Sequence, residues 1–452
     1  MSFDLVIKNG TIVTAETTYQ ADIGIEGQKI AAIGRGLPGE REIDAAGKLV
    51  TPGAIDGHVH LEMPIGNFVS ADDFFSGTRA AAFGGTTTII DFVEARPGES
   101  LLAALAARRA NAADKAVIDY GLHMTITPSD MTKLKQLPGV VEAGCRSFKL
   151  YMAYAMRLHD GQLLQALEAI RDAGGLPVVH AENWDAICAL VDGNLRQGNI
   201  EPRWHPRSRP PSLEGEAAGR LIDLAAYVGL PVHIFHVSCA EVVARIAAAQ
   251  ARGLPVYAET CPQYLLLADD VYDRPGLEGA LPVCSPPLRG KHDQERLWQA
   301  LAQNTINLIS TDHCPFTRAD KATGLNDFSH IPGGLPSIEA RFSLIYDRGV
   351  RAGRLSANRW VEVCCTQPAR LFGLKNKGHI AVGYDADLVV FNLDCGVVID
   401  NSLLHEKADW TPYEGIHLQG WPSITISRGE VIVKDGQFLG RAGRGQFLKR
   451  SA

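Results

Sequence analysis

The chain has 452 residues, 46% of them hydrophobic, with 51 acidic against 44 basic side chains and a formal charge of -7. That length and apolar content suit one large α/β domain plus a smaller one and exclude a disordered chain, and scattered charge of net negative sign excludes a polyanion-binding surface, so nucleic acid is not an expected partner. Nine cysteines, an odd count without paired zinc-knuckle spacing, read as reduced thiols of a cytoplasmic protein, and the lack of a basic leader or an uncharged apolar run of about 18 residues argues against secretion and against a membrane.

In chain order, residues 1–51 alternate short apolar runs with Gly-rich turns, as in Leu5-Val6-Ile7-Lys8-Asn9-Gly10 and Lys29-Ile30-Ala31-Ala32-Ile33-Gly34, a pattern of antiparallel strands. The pattern returns within 377–440, in Ala386 to Phe391 and Ser423 to Val433, so both chain ends are expected to share one small β domain. Between them, over 52–376, strand-like runs alternate with Ala/Leu-rich amphipathic segments such as Leu101 to Ala113, Gly161 to Ala173, Ala217 to Val228 and Ala240 to Ala251. The candidate strands are Ala54 to His60, Thr86 to Phe92, Tyr120 to Ile126, Ser147 to Met152, Pro177 to Ala181, Pro231 to Val237, Pro255 to Thr260 and Ile306 to Thr311. Eight parallel strands with helices between them suggest a TIM-like (β/α)8 barrel. An open doubly wound sheet is the alternative, but no Gly-rich phosphate fingerprint follows the first strand.

In such a barrel the chemistry sits where buried strands end. His58 and His60, two residues apart on the first strand, point to one face and can reach one metal ion. The fourth strand buries Lys149 among apolar neighbours, where an unpaired ammonium is costly and calls for neutralisation or modification. His180, His236 and Asp312 end the fifth, sixth and eighth strands. Singly, each has a plain structural explanation as a core histidine, a turn-capping carboxylate or a lysine reaching for water. Together, four His, one Asp and one Lys at strand ends point to a metal site. His233 and His313 are assigned to the opposite strand faces as supporting residues, and the other histidines to ordinary structural roles.

These residues belong to longer motifs: His58-Val59-His60, Gly84-Gly85-Thr86-Thr87-Thr88, Ser147-Phe148-Lys149-Leu150-Tyr151-Met152-Ala153-Tyr154, His180-Ala181-Glu182-Asn183, Glu259-Thr260-Cys261-Pro262-Gln263-Tyr264-Leu265, Ser285-Pro286-Pro287-Leu288-Arg289 and Thr311-Asp312-His313-Cys314-Pro315-Phe316. In this order, over nearly the whole chain, they resemble the cyclic amidohydrolases of the amidohydrolase superfamily, most closely the hydantoinase and dihydropyrimidinase branch. The resemblance implies a TIM-like barrel, a small β-sandwich domain built from both chain ends, and two zinc ions, or other divalent ions, bridged by a CO2-derived carboxylation of Lys149 and by a hydroxide. Carried across, His58, His60 and Asp312 hold one metal, His180 and His236 the other, and Lys149 spans both. Hydroxide would add to a ring amide carbonyl, Asp312 would carry the proton to the departing nitrogen, and Tyr154 would hydrogen-bond the oxyanion.

The same resemblance assigns the small-molecule cyclic ureide to Ser285 and to main-chain groups around Gly333, where many relatives have Asn. Two departures bear on the pocket wall: Trp184 stands where Gly is common, and Ala155-Met156-Arg157 replaces the usual basic residue and Gly. Loops 63–71 and 155–161 are expected to border the ring's 5-substituent and set its size and chirality. Dihydroorotase is the nearest rival, but Glu62 occupies the position of its substrate-gripping Arg; allantoinase shares the metal set and is separated only by pocket loops. A non-catalytic dihydropyrimidinase-like scaffold would lack the ligands present here. By resemblance the chain forms a homotetramer or homodimer, with the tail 441–452 as an oligomer contact.

Overall fold

The alternation of apolar runs and amphipathic segments in the middle of the chain becomes a closed ring of parallel strands in the computed structural model, which describes residues 2–450. Met1 and the last two residues of the tail lie outside the described residues. The ring consists of β1 (Ala54–Asp56), β2 (Thr86–Val93), β3 (Asp119–Thr125), β4 (Ser147–Tyr151), β5 (Leu176–His180), β6 (Val232–Ile234), β7 (Val256–Thr260) and β8 (Leu308–Ile309). Each strand pairs in parallel with the next in sequence. The ring closes just past the ends of β8 and β1, where Val59 and His313 form a parallel bridge and His60 N–H donates to His313 O at 2.8 Å. This is a TIM-like barrel.

Helices connect the strands and pack an apolar face on the barrel. In the helix Asp160–Asp172 the buried residues Leu163, Ala166, Leu167 and Ile170 recur at three and four positions, which places them on one face against the barrel. The helix Pro211–Val228 stops at Gly229, whose left-handed backbone (φ 71°) satisfies the last carbonyls.

Both chain ends build a second unit of two packed sheets. One has four strands (5–8, 22–26, 29–34, 42–44); the other has seven and takes 388–398, 417–427, 430–434 and 437–438 together with 11–13, 18–20 and 49–52. Their shared core joins Leu5, Ile7, Ile23 and Ile25 to Leu388, Val390, Ile424 and Ile426. The antiparallel expectation needs correction at two places, since 6–8 pair in parallel with 42–44 and 11–12 with 49–50. Consecutive strands here lie in different sheets rather than forming a hairpin. Gly10 sits at the crossover, where a Cβ would lie 2.5 Å from Val50 Cγ2.

Sixth and eighth strands are shorter than the apolar runs that announce them, ending at Ile234 and Ile309. Just beyond, His236 (φ 40°) and Asp312 (φ 53°) take left-handed backbone and break the extended chain. The tail folds back on its own barrel. Tyr120 N–H donates to Gln446 O at 2.9 Å, and Arg450, buried at the N-terminal mouth, donates to Ser147 Oγ at 2.8 Å and to Leu122 O.

Candidate metal centre and pocket

Six side chains delivered by five strand ends converge at the C-terminal mouth. His58 Nε2 and His60 Nε2 lie 3.1 Å apart, and Asp312 Oδ1 is 3.1 Å from the first and 3.0 Å from the second. Beside them, His180 Nδ1 and His236 Nε2 face each other at 2.9 Å. Burial holds His58 and His236 well below the ordinary imidazole value and lowers His180, so these rings are neutral and offer lone pairs. At that distance the two nitrogens either share a proton or flank a cation. The buried Nδ1 of His236 also has no hydrogen-bond partner.

Lys149 is 1% exposed, with its Nζ ringed by the faces of Phe235 (4.1 Å), Tyr151 (4.8 Å) and Phe92 (5.4 Å). Burial pushes its amine down to about 7, although Asp312 and Glu259 pull the other way. Neutral imidazoles, one partly open carboxylate and a buried amine whose charge burial disfavours form a donor set suited to a divalent metal.

Supporting partners orient these donors. Glu259 Oε1 accepts from His58 Nδ1–H at 2.6 Å, which turns Nε2 toward the cluster. Glu182 Oε2 does the same for His180 Nε2 at 2.7 Å and is gripped by Arg209 Nη1 at 2.6 Å. Against the cost of burial, Arg209 and His180 keep Glu182 well below the usual carboxylate range. Gly57 threads between groups that leave no room for a side chain: a Cβ would lie 2.4 Å from Phe372 Cε2, and Gly57 O is 2.9 Å from His123 Nε2.

The strict alternation that puts His233 and His236 on opposite faces fails here. His233 Nε2 lies 3.3 Å from Glu259 Oε2, the carboxylate that also holds His58, while His236 meets His180. The left-handed residue at 236 shifts the phase, so both rings serve the same centre. His313 turns to Asp72 at 3.1 Å and its Nδ1 accepts from Ser337 N–H at 3.1 Å. Glu259 has the same signature as the ligands, a charge closing an apolar strand, and was legible on that ground. Arg209 stands in Ser208-Arg209-Pro210-Pro211 with no strand-end pattern, and only the fold reveals it.

A cavity of about 580 Å³ opens over the cluster and is lined by the six residues together with Tyr154, Ser285 and Gly333. Tyr154 hydrogen-bonds Ser285, and burial pushes its phenol up to about 12, so it remains a donor at neutral pH. Gly333 borders Ser285, with space for a Cβ 3.6 Å from Ser285 Oγ. The far wall is largely apolar: Met63 and Ile65 from a small hairpin (Pro64–Ile65 with Phe68–Val69), Met156, and Trp184, Ile187 and Val191 from one helix. Ile331, from the segment expected to contact the ureide, and Phe328 just before that segment complete it. Glu62 does not face the cavity's floor as an anion; it is bound by Lys115 Nζ and Asn111 Nδ2, each at 2.5 Å.

Comparison with known proteins places this geometry. Residues 49–432 match the amidohydrolase family model. The chain is 47% identical to a D-hydantoinase of Geobacillus stearothermophilus over 99% of its own length and 96% of that protein's. Among solved structures it is similar to a dihydropyrimidinase from Brevibacillus agri NCHU1002 (TM-score 0.97, 44% identity, 99% and 98% of the two chains covered). It is equally similar to a D-hydantoinase from a Bacillus sp. AR9 (TM-score 0.97, 46% identity, 99% of each chain).

Proposed function

We propose that this chain, which belongs to the amidohydrolase family in its hydantoinase and dihydropyrimidinase branch, uses a metal pair to open 5-substituted hydantoins, 5,6-dihydropyrimidines or both to N-carbamoyl amino acids. It is a hydrolase of cyclic amides. One observation carries the mechanism: two imidazole pairs, a carboxylate and a buried amine meet at the floor of a cavity whose rim holds a phenol donor. His58, His60 and Asp312 would hold one cation, His180 and His236 the other, and a carbamate on Lys149 would bridge them. Bound there, two divalent ions, zinc by resemblance, would supply an ionised water and polarise the ring carbonyl.

The remaining work falls to this chain's own groups. Asp312, with 16% of its side chain exposed toward the cavity, takes the proton of the attacking water and passes it to the departing ring nitrogen. Tyr154 donates to the oxygen on which charge develops, held in place by Ser285, while Ser285 and the main chain at Gly333 orient the ureide. A wall of Met63, Ile65, Trp184 and Ile187 favours apolar 5-substituents, and position 62 offers a carboxylate paired with Lys115 rather than a guanidinium for an anionic ring. The test is an ultraviolet ring-opening assay of metal-replete protein on hydantoin, 5-phenylhydantoin, dihydrouracil, dihydrothymine, allantoin and dihydroorotate. Turnover of the first four over the last two is expected. A metal-loaded protein that opens none of them would sink the reading.

A further inference from the structure

Arg209 lies between the helices Trp204–Arg207 and Pro211–Val228, and its side chain is only 8% exposed. One guanidinium nitrogen is 2.6 Å from Glu182 Oε2, the oxygen that lies 2.7 Å from His180 Nε2. The guanidinium carbon is 5.5 Å from the Tyr154 ring and 5.5 Å from the Trp184 ring, and those two rings are 5.2 Å apart. Arg209 is itself anchored, because Arg289 donates to its carbonyl while binding Glu214 at 2.8 Å and Ser238 Oγ at 3.0 Å.

We propose that Arg209 is a positioning residue that aligns the two sides of the site at once, a role that rests on the metal-dependent reading above. Through Glu182 it fixes the His180 ring with Nε2–H outward and Nδ1 turned to His236. Through its charge, held within cation–π range of the ring, it steadies Tyr154, whose backbone is left-handed (φ 69°) and has no regular strand to hold it. A lysine can replace the ion pair with Glu182, but its compact ammonium, drawn onto that carboxylate, cannot also spread its charge over the Tyr154 and Trp184 rings as the delocalised guanidinium does. The two duties are therefore separable.

The experiment uses full-length apoprotein carrying Arg209→Met, Arg209→Lys or Glu182→Gln, titrated with Zn²⁺ in bicarbonate buffer. The visible spectrum of the Co²⁺-loaded form, kcat and KM are then compared with those of the unaltered chain. Arg209→Met is expected to weaken one of the two metal-binding events about 10- to 100-fold, change the Co²⁺ spectrum and lower kcat. Glu182→Gln should reproduce the weakened metal binding. Arg209→Lys should recover metal affinity and spectrum while kcat remains at least about 10-fold low at a KM near that of the unaltered chain, because the Tyr154 donor is loosened. Unaltered metal titration and kcat in Arg209→Met would overturn the proposal. So would Lys and Met variants that lose stability and activity alike, which marks a packing role only. An unaltered chain that takes up no metal overturns the functional reading instead, before any variant is compared.

Discussion

At Lys149 an amine has been drawn into an enclosure of three aromatic rings, at a cost that no ion pair offsets among the described residues. A carbamate between two cations would turn that cost into binding, so Lys149→Ala is expected to lose the metal pair as well as activity, measured by metal analysis after dialysis. Asp312→Asn keeps an oxygen donor at the same place and is expected to retain metal nearly intact while turnover disappears. Near-normal rates in that variant would remove Asp312 from the proton path. On the proposed mechanism Tyr154→Phe deletes the donor to the reacting oxygen, and it is expected to lower kcat by about 10²–10³, the loss typical of one oxyanion donor.

Elements, rather than single residues, decide how the pocket rim is held. Ser285 and Gly333 stand on separate segments that one buried side chain ties together: Lys321 Nζ donates to Val283 O and to Pro332 O, each at 2.7 Å. Lys321→Met leaves both carbonyls without that donor, and an increase in KM exceeding the fall in kcat is expected from steady-state assays. Burial lowers the Lys321 amine to about 7, while in the unfolded chain it returns to about 10.4. Between those values the unfolded chain binds the extra proton, so stability rises with pH through this window by up to about 1.4 kcal/mol per pH unit. This contribution is complete above the unfolded value and lost as the pH falls to about 7. Denaturant unfolding at pH 7, 8 and 9 should show a shallower pH dependence for Lys321→Met than for the unaltered chain.

For the molecule as a whole, the two units are joined by a buried ionic hub. Lys377 Nζ contacts Asp119 at the foot of β3 (2.6 Å), Asp387 (2.6 Å) and Asp385 (3.0 Å), the last two leading into the sheet of the C-terminal segment. The three carboxylates resemble a metal cluster, yet the ammonium fills their centre. Lys377→Met strands buried carboxylates and is expected to destabilise the fold by about 3–5 kcal/mol in denaturant titration. The tail closes the opposite mouth of the barrel from the metal centre, so truncation after residue 440 should lower thermal stability. Light scattering on both forms will read the oligomeric state, for which resemblance suggests a tetramer or dimer.

Continuous apolar runs alternating with period-3.6 segments located the eight barrel strands to within a few residues, because burial on both faces of a parallel strand leaves an unbroken apolar run. A charge or imidazole closing such a run, or in the case of Lys149 lying within it, marked each expected ligand for the same reason. What the linear pattern did not contain was the local geometry at the strand ends: left-handed residues at Tyr154, His236 and Asp312 break the alternation that sequence reasoning relies on. Nor could it show Arg209 against Glu182, or Lys321 between two loops, since these contacts join segments 27, 38 and 11 residues apart with no shared period. Local propensity and hydrophobic patterning act along the chain and can be read there; the aim of a buried polar side chain is settled by partners that only folding brings within reach.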